Sequence, residues 1–152
     1  MADHFFDTSA AVKHYWAEAG TARVDALLAD AGSRHFLSAL GVVELHSVFA
    51  RLVRTGQISV ADFHAVRGRF LADIASGLWQ VVQVTGADFQ RAQQLLVQHG
   101  LTRGHRTLDA LQLAVALGLH AASPLDDFVC ADAILGQVAA AEGLTVLNPE
   151  IS

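Results

Sequence analysis

The sequence predicts an α/β fold in which a parallel sheet of short strands carries helices on both faces. Two observations carry that expectation. Short apolar runs recur along the chain, at His4-Phe5-Phe6, His35-Phe36-Leu37, Trp79–Val84, Phe128-Val129-Cys130 and Thr145-Val146-Leu147. Longer stretches with apolar residues at helical spacing separate them. Strands joined through helices run parallel, and a parallel sheet needs cover on both faces. With 152 residues, 53% hydrophobic and only 16% charged, the chain can fill a core, so disorder is excluded and one domain over residues 1–152 is expected.

The elements follow in order. The strand His4–Phe6 ends at Asp7-Thr8-Ser9, where Thr8 or Ser9 can cap a helix from Ala10 to about Ala17. Val24, Leu27 and Leu28 form a second helical stripe, up to Ala31-Gly32. After the strand at His35–Leu37, Ser38 precedes a long helix from Leu40 to Arg54 with Val42, Leu45, Val48, Phe49, Leu52 and Val53 in phase, ended by Thr55-Gly56. Ser59 caps the next helix, which shows Phe63, Val66, Phe70 and Ile74 on one face and stops at Ser76-Gly77. A third strand, Trp79–Val84, leads through Gly86 and Asp88 into a helix reaching Val97. Thr107 is the expected cap of a helix over Leu108–Leu119. The strand Phe128–Cys130 gives way at Asp132 to a helix reaching Ala141, with Gly143 as its C′ residue, before the last strand, Thr145–Leu147.

Composition narrows the function. No apolar stretch reaches the roughly 18 residues of a membrane span. The N-terminus has no cationic segment and does not read as a signal peptide. A single cysteine, Cys130, gives no intrachain disulfide, which suits a reducing cytoplasm. A net charge of −5 argues against a general nucleic-acid coat protein but not against a nuclease with a local metal site.

Four acids stand in apolar surroundings: Asp7 after Phe5-Phe6, Glu44 within Val42-Val43-Glu44-Leu45, Asp109 in Leu108–Leu113 and Asp132 after Val129-Cys130-Ala131. A carboxylate in such a place needs a partner or a metal. Asp7 and Asp132 directly follow strands, and Glu44 and Asp109 lie near the starts of helices, so all four can meet at the carboxyl edge of the sheet, where open α/β sheets bind ligands. Hard divalent ions take oxygen ligands, and such an ion lowers the pKa of a bound water and orients a phosphodiester. The eight histidines form no zinc motif. Taken singly, Asp7, Asp109 and Asp132 are also ordinary helix-cap or first-turn acids.

Phe6-Asp7-Thr8-Ser9-Ala10-Ala11-Val12-Lys13 resembles the opening of PIN domains, specifically VapC-type toxins. So do Ser38–Glu44, Arg106–Ala114, Phe128–Asp132 and Glu142–Pro149, in that order along the whole chain. The resemblance implies an α/β/α sandwich, Mg2+- or Mn2+-dependent ribonuclease activity, a homodimer, inhibition by a small antitoxin and contact with operator DNA only through the antitoxin complex. It places Asp7, Glu44, Asp109 and Asp132 in the family's acidic quartet, and Ser9 as the hydroxyl supporting the first of them. Two positions depart from the pattern. Cys130 stands where relatives often have Thr or Ser, and a thiol is a weaker hydrogen-bond partner, which bears on how Asp132 is held. Gln112 stands where many have His; it is expected to face the core or sheet and is given no role.

Other residues admit blander readings. Thr8 and Ser9 are caps, Ser9 possessing a supporting role as well. Arg106 contacts substrate or pairs with an acid, and His105 beside it reads as a plain loop histidine. Arg51, Arg54, Arg67 and Arg69 form either a solvated strip or one that guides RNA or meets a partner. Two rival functions stand beside the ribonuclease: a catalytically weak module acting through antitoxin and operator, which Cys130 favours, and a Mg2+-dependent phosphatase. The second lacks a D-x-D motif, since position 9 is Ser, and no phosphate-binding loop motif occurs either.

Overall fold

The computed structural model describes residues 1–151. Its sheet has five strands, β1 (Asp3–Phe6), β2 (Arg34–Ser38), β3 (Gln80–Val82), β4 (Asp127–Val129) and β5 (Val146–Leu147), in the order β3-β2-β1-β4-β5. All neighbouring pairs are parallel. Seven α-helices complete the described chain: α1 (Thr8–Ala11), α2 (Thr21–Leu28), α3 (Ala39–Arg54), α4 (Val60–Ala75), α5 (Gly86–His99), α6 (Thr107–Ala122) and α7 (Ala133–Ala141).

Side chains alternate across a strand, and this period builds the two faces. Phe5, Phe36 and Phe128 point to one side, into a core shared with α5, α6 and α7. Phe6, Leu37 and Val129 point to the other, into a core made with α1, α2, α3 and α4. The result is the expected three-layer α/β/α sandwich. Trp79, just ahead of β3, is buried in the second core; its indole N–H donates to the Tyr15 hydroxyl (2.7 Å), which donates to Asp73 of α4 (2.6 Å). α4 otherwise buries only Phe70 fully, so the α3–α4 hairpin leans outward from the body.

The helix expected over Ala10–Ala17 is shorter. α1 ends at Ala11 and passes into a 3-10 turn, Val12–His14. Its cap is Asp7, not Thr8 or Ser9: the Asp7 carboxylate accepts from the Ser9 backbone N–H. An aspartate that ends a strand in extended backbone is already placed to receive that bond. Likewise Thr107 is the first residue of α6 rather than its cap, and the preceding position, Arg106, makes no side-chain cap bond. β3 is confined to Gln80–Val82, because Ser38 of its partner β2 pairs with Val82 and α3 begins at once. Gly143 is the expected left-handed residue after α7, with φ +95°. No helix among the described residues is long and apolar enough to cross a membrane.

Gly20 opens α2 with φ +90°, and a Cβ there would lie 3.0 Å from the backbone carbonyl of Pro149. The C-terminal segment therefore packs directly on this glycine. Gly20→Ala is expected to cost about 1–3 kcal/mol through backbone strain, read by urea unfolding. Gly68→Ala, in open space on α4, should instead stabilise by about 0.5–1 kcal/mol. Equal effects at the two positions would contradict this packing.

Candidate active site

The β3-β2-β1-β4-β5 order means that the chain winds one way from β1 to β2 and the other way to β4, so a crevice opens beyond the carboxyl ends of β1 and β4. Asp7 leaves β1 into this crevice, and Asp132 follows β4 beside it. Glu44 enters from the second turn of α3 and Asp109 from the first turn of α6.

The four carboxylates do not share one environment. Asp7 is buried, Glu44 and Asp109 are half-buried, and Asp132 is exposed. The expectation of four acids in an apolar interior thus holds fully for Asp7 alone. Burial pushes the Asp7 carboxyl above its ordinary range, and nearby Asp132 adds to this, although hydrogen bonds from Ser9 oppose it. Burial also raises Glu44, with the charges of Asp7 and Asp109 contributing and a bond from Gln112 opposing. Asp109 is pushed up to about 6, first by burial and then by Asp7 and Asp132, with Arg106 opposing. Asp7, Glu44 and Asp109 therefore each sense at least one other carboxylate, and like charges held together disfavour full ionisation.

No cation among the described residues pairs with these acids. Among the described residues, none of the four carboxylates has a lysine, arginine or histidine nitrogen within 4.0 Å. Arg106 is exposed and acts on Asp109 through its field without an ion pair. Among the described residues, no group of three or more acid, histidine or cysteine side chains is gathered closely enough to hold a metal ion as it stands. The donor set nevertheless fits a hard divalent cation: it is all oxygen, it lacks a counter-charge, and Mg2+ needs only one or two carboxylates beside its waters.

A hydrogen-bond network holds the acids in place. The Ser9 hydroxyl donates to Asp7 Oδ2 at 2.6 Å and accepts from the Ala131 backbone N–H at 3.0 Å, which ties the end of β1 to the end of β4. Gln112 is almost wholly buried in α6, and its amide N–H2 donates to Thr8 Oγ1 (2.7 Å) and to Glu44 Oε1 (3.0 Å). Its Oε1 accepts from the Ser38 hydroxyl (2.9 Å), and Ser38 in turn caps α3 through the Gly41 N–H. Gln112 thus joins three elements that carry the acids. The sequence reading gave it no role; the available signal was a lone amide inside the apolar helix α6.

Cys130 acts elsewhere than expected. Its sulfur lies 3.8 Å from Asp7 Oδ2, and its thiol donates to the backbone carbonyl of Asp132 at 3.3 Å, not to the Asp132 carboxylate. That carboxylate is held by the Leu135 N–H as the cap of α7. Burial, reinforced by the Asp7 charge, pushes the thiol well above its ordinary range and keeps it neutral. His105 lies in the loop before α6, as expected, but is buried; neither ring nitrogen has a partner, and burial holds its pKa below the ordinary value. The arginines of the expected strip have separate surroundings: Arg67 meets His46, Arg69 meets His14 and stacks on Tyr15, and Arg51 lines a cavity with Lys13 and Trp16.

The PIN domain family model matches residues 4–125, most of the chain and all of these elements except β4, α7 and β5. The chain belongs to the PIN domain family. No curated protein matches it in sequence. Among solved structures it is similar to FitAcB from Neisseria gonorrhoeae, at 20% identity and TM-score 0.70, covering 98% of this chain and 99% of that one. It is also similar to VapC20 of Mycobacterium tuberculosis, a sarcin-ricin-loop-cleaving toxin, at 20% identity and TM-score 0.65, covering 93% and 96%. A third match is VapBC2 from Rickettsia felis bound to DNA from its promoter, at 14% identity and TM-score 0.63, covering 96% and 98%. At these identities the likeness shows a shared PIN fold.

Two outcomes follow from the site's energetics. Gln112→Leu leaves the Ser38 and Thr8 hydroxyls without their buried partner and should cost about 1–3 kcal/mol in urea unfolding. Asp109 should also add stability to the metal-free PIN domain on acidification. Asp109 holds its proton to about pH 6 when folded, against about 3.9 unfolded. The folded state thus binds the extra proton between these values, and stability falls as pH rises through that window. From pH 7 to pH 5 the melting temperature of the wild type should shift upward relative to that of Asp109→Asn, since the buried His35 and His105, which oppose the gain, act alike in both proteins; equal shifts in both proteins would contradict the raised pKa.

Proposed function

We propose that this PIN domain is a metal-dependent endoribonuclease and the toxin of a toxin–antitoxin pair. The observation that carries the reading is the set of four adjoining carboxylates with no cationic partner at the carboxyl edge of the sheet. Asp7, Glu44, Asp109 and Asp132 would hold one or two Mg2+ or Mn2+ ions. When bound, such an ion supplies charge for the phosphodiester and lowers the pKa of water. Ser9 keeps the Asp7 carboxylate turned into the crevice, and Gln112 does the same for Glu44 through its amide. One of the four carboxylates would also orient the attacking water. Arg106, exposed at the start of α6, can draw in the RNA backbone by its charge. Thr8 positions Gln112 and has no further part.

The similar structures include a toxin named for cleaving the sarcin-ricin loop and one toxin–antitoxin assembly on promoter DNA, which supports an RNA substrate and a small antitoxin for this chain. An open apolar groove on the α3–α4 hairpin, lined by Ala50, Val53, Val60 and Phe63, suits an amphipathic helix of such a partner or of a second copy in a homodimer. Operator DNA would then be reached through the antitoxin, and the work would be done in the cytoplasm. Cys130, the departure that favours a weak module, lies against Asp7 without displacing the Ser9 bond, so it gives that rival no structural support.

Purified protein should cleave RNA with Mg2+ or Mn2+ and stop on addition of EDTA. Asp7→Asn should lower the rate at least 100-fold while leaving the fold intact by circular dichroism. Undiminished cleavage by that variant would sink the assignment.

A further inference from the structure

One cavity adjoins the acids but extends away from them. It has a volume of about 460 Å3 and runs from Ser9 and Asp132 to Lys13, Trp16 and Arg51. That size lies within the range of small-molecule pockets, about 300–1,000 Å3. Its chemistry differs from that of the acid crevice in three ways.

Its floor is an internally neutralised charge cluster. Lys13 is only 2% exposed, and its ammonium donates to Glu18 at 3.0 Å and to Glu150 at 2.7 Å. Those two acids raise the lysine pKa against the effect of burial, so the ammonium stays charged. A lysine with three donors between two carboxylates offers both donors and acceptors at close range. Trp16 forms part of the wall and is half-exposed, whereas the other tryptophan, Trp79, is buried. Val12 and Leu52 complete the apolar surface. Finally, Arg51 is exposed on α3 at the rim, and among the described residues its guanidinium has no hydrogen-bond or ion-pair partner.

We propose that this cavity is a nucleobase subsite, which receives the base beside the cleaved phosphodiester, with Trp16 as its stacking surface and Arg51 on the adjoining phosphate. This rests on the ribonuclease reading above and adds how the enzyme selects its RNA. The cavity and the acids share Ser9 and Asp132, so a strand lying across the acids places an adjacent nucleotide at its mouth. Single-stranded RNA is read through splayed bases stacked on aromatic rings and hydrogen-bonded along their edges. A heteroaromatic base, neutral with donors and acceptors on its edge, matches a floor whose charges are already paired. The free guanidinium at the rim matches the charge that the base carries on its sugar-phosphate.

The test joins a binding readout to a cleavage readout. With EDTA present to prevent cleavage, random-sequence single-stranded RNA hexamers should quench the fluorescence of Trp16 in the wild type; Trp79 is shielded from them. With Mg2+, sequencing of products from a random-sequence RNA pool should show a base preference at one position next to the cut. Trp16→Ala should raise KM roughly 5- to 100-fold and flatten that preference, with kcat changed far less. Trp16→Phe should restore both, which a purely structural loss would not do, and Arg51→Ala should raise KM without altering the preference. Absence of quenching in the wild type overturns the subsite whatever the catalytic outcome. So does a Trp16→Ala enzyme that is folded and keeps the wild-type preference. Quenching without any metal-dependent cleavage would retain the base pocket and overturn the nuclease reading instead.

Discussion

The structure depends on one tie between two strand ends. Ser9 donates to the buried carboxylate of Asp7 and accepts from the backbone of Ala131, so the ends of β1 and β4 meet through one hydroxyl. β1 lies at the centre of the sheet, between β2 and β4. Its carboxyl end therefore cannot shift without disturbing both halves of the molecule. That fixed point lets acids separated by more than a hundred residues of chain form one site.

The same geometry stores an electrostatic conflict. Burial raises the proton affinity of Asp7, the charge of Asp132 adds to it, and among the described residues no lysine or arginine pairs with any of the four acids. Around this conflict the fold is otherwise well paired: Arg34 with Asp3, Lys13 with Glu18 and Glu150, and Arg91 with Asp88. Among the described residues the four acids of the crevice have no ion-pair partner, which supports the proposal that their charge serves a ligand. Gln112 shows the same division of labour, since it spends its amide on holding Glu44 and Thr8 in position within an otherwise apolar helix.

Local pattern made much of this legible in the sequence. The strands could be read because Phe5-Phe6, Phe36-Leu37 and Phe128-Val129 each put one apolar residue into each core. The acids could be read because a charge after such a strand has few places to go. What escaped depends on partners remote in sequence. Nothing near Lys13 in the sequence shows that Glu150 pairs with it, and the loop residue His105 is buried, its ring set against His99 of α5. The cap of α1 stayed open in the sequence because Thr8, Ser9 and Asp7 are all good caps, and only the extended backbone at the strand end selects Asp7.

The central claim is that the four acids form one site that awaits a divalent ion. Anomalous diffraction from crystals grown with Mn2+ tests it most directly. The account predicts a strong peak in the crevice within about 2.5 Å of carboxylate oxygens that include Asp7 and at least one of Glu44, Asp109 and Asp132. Ordered Mn2+ elsewhere, with that crevice holding only water at saturating metal, would contradict it.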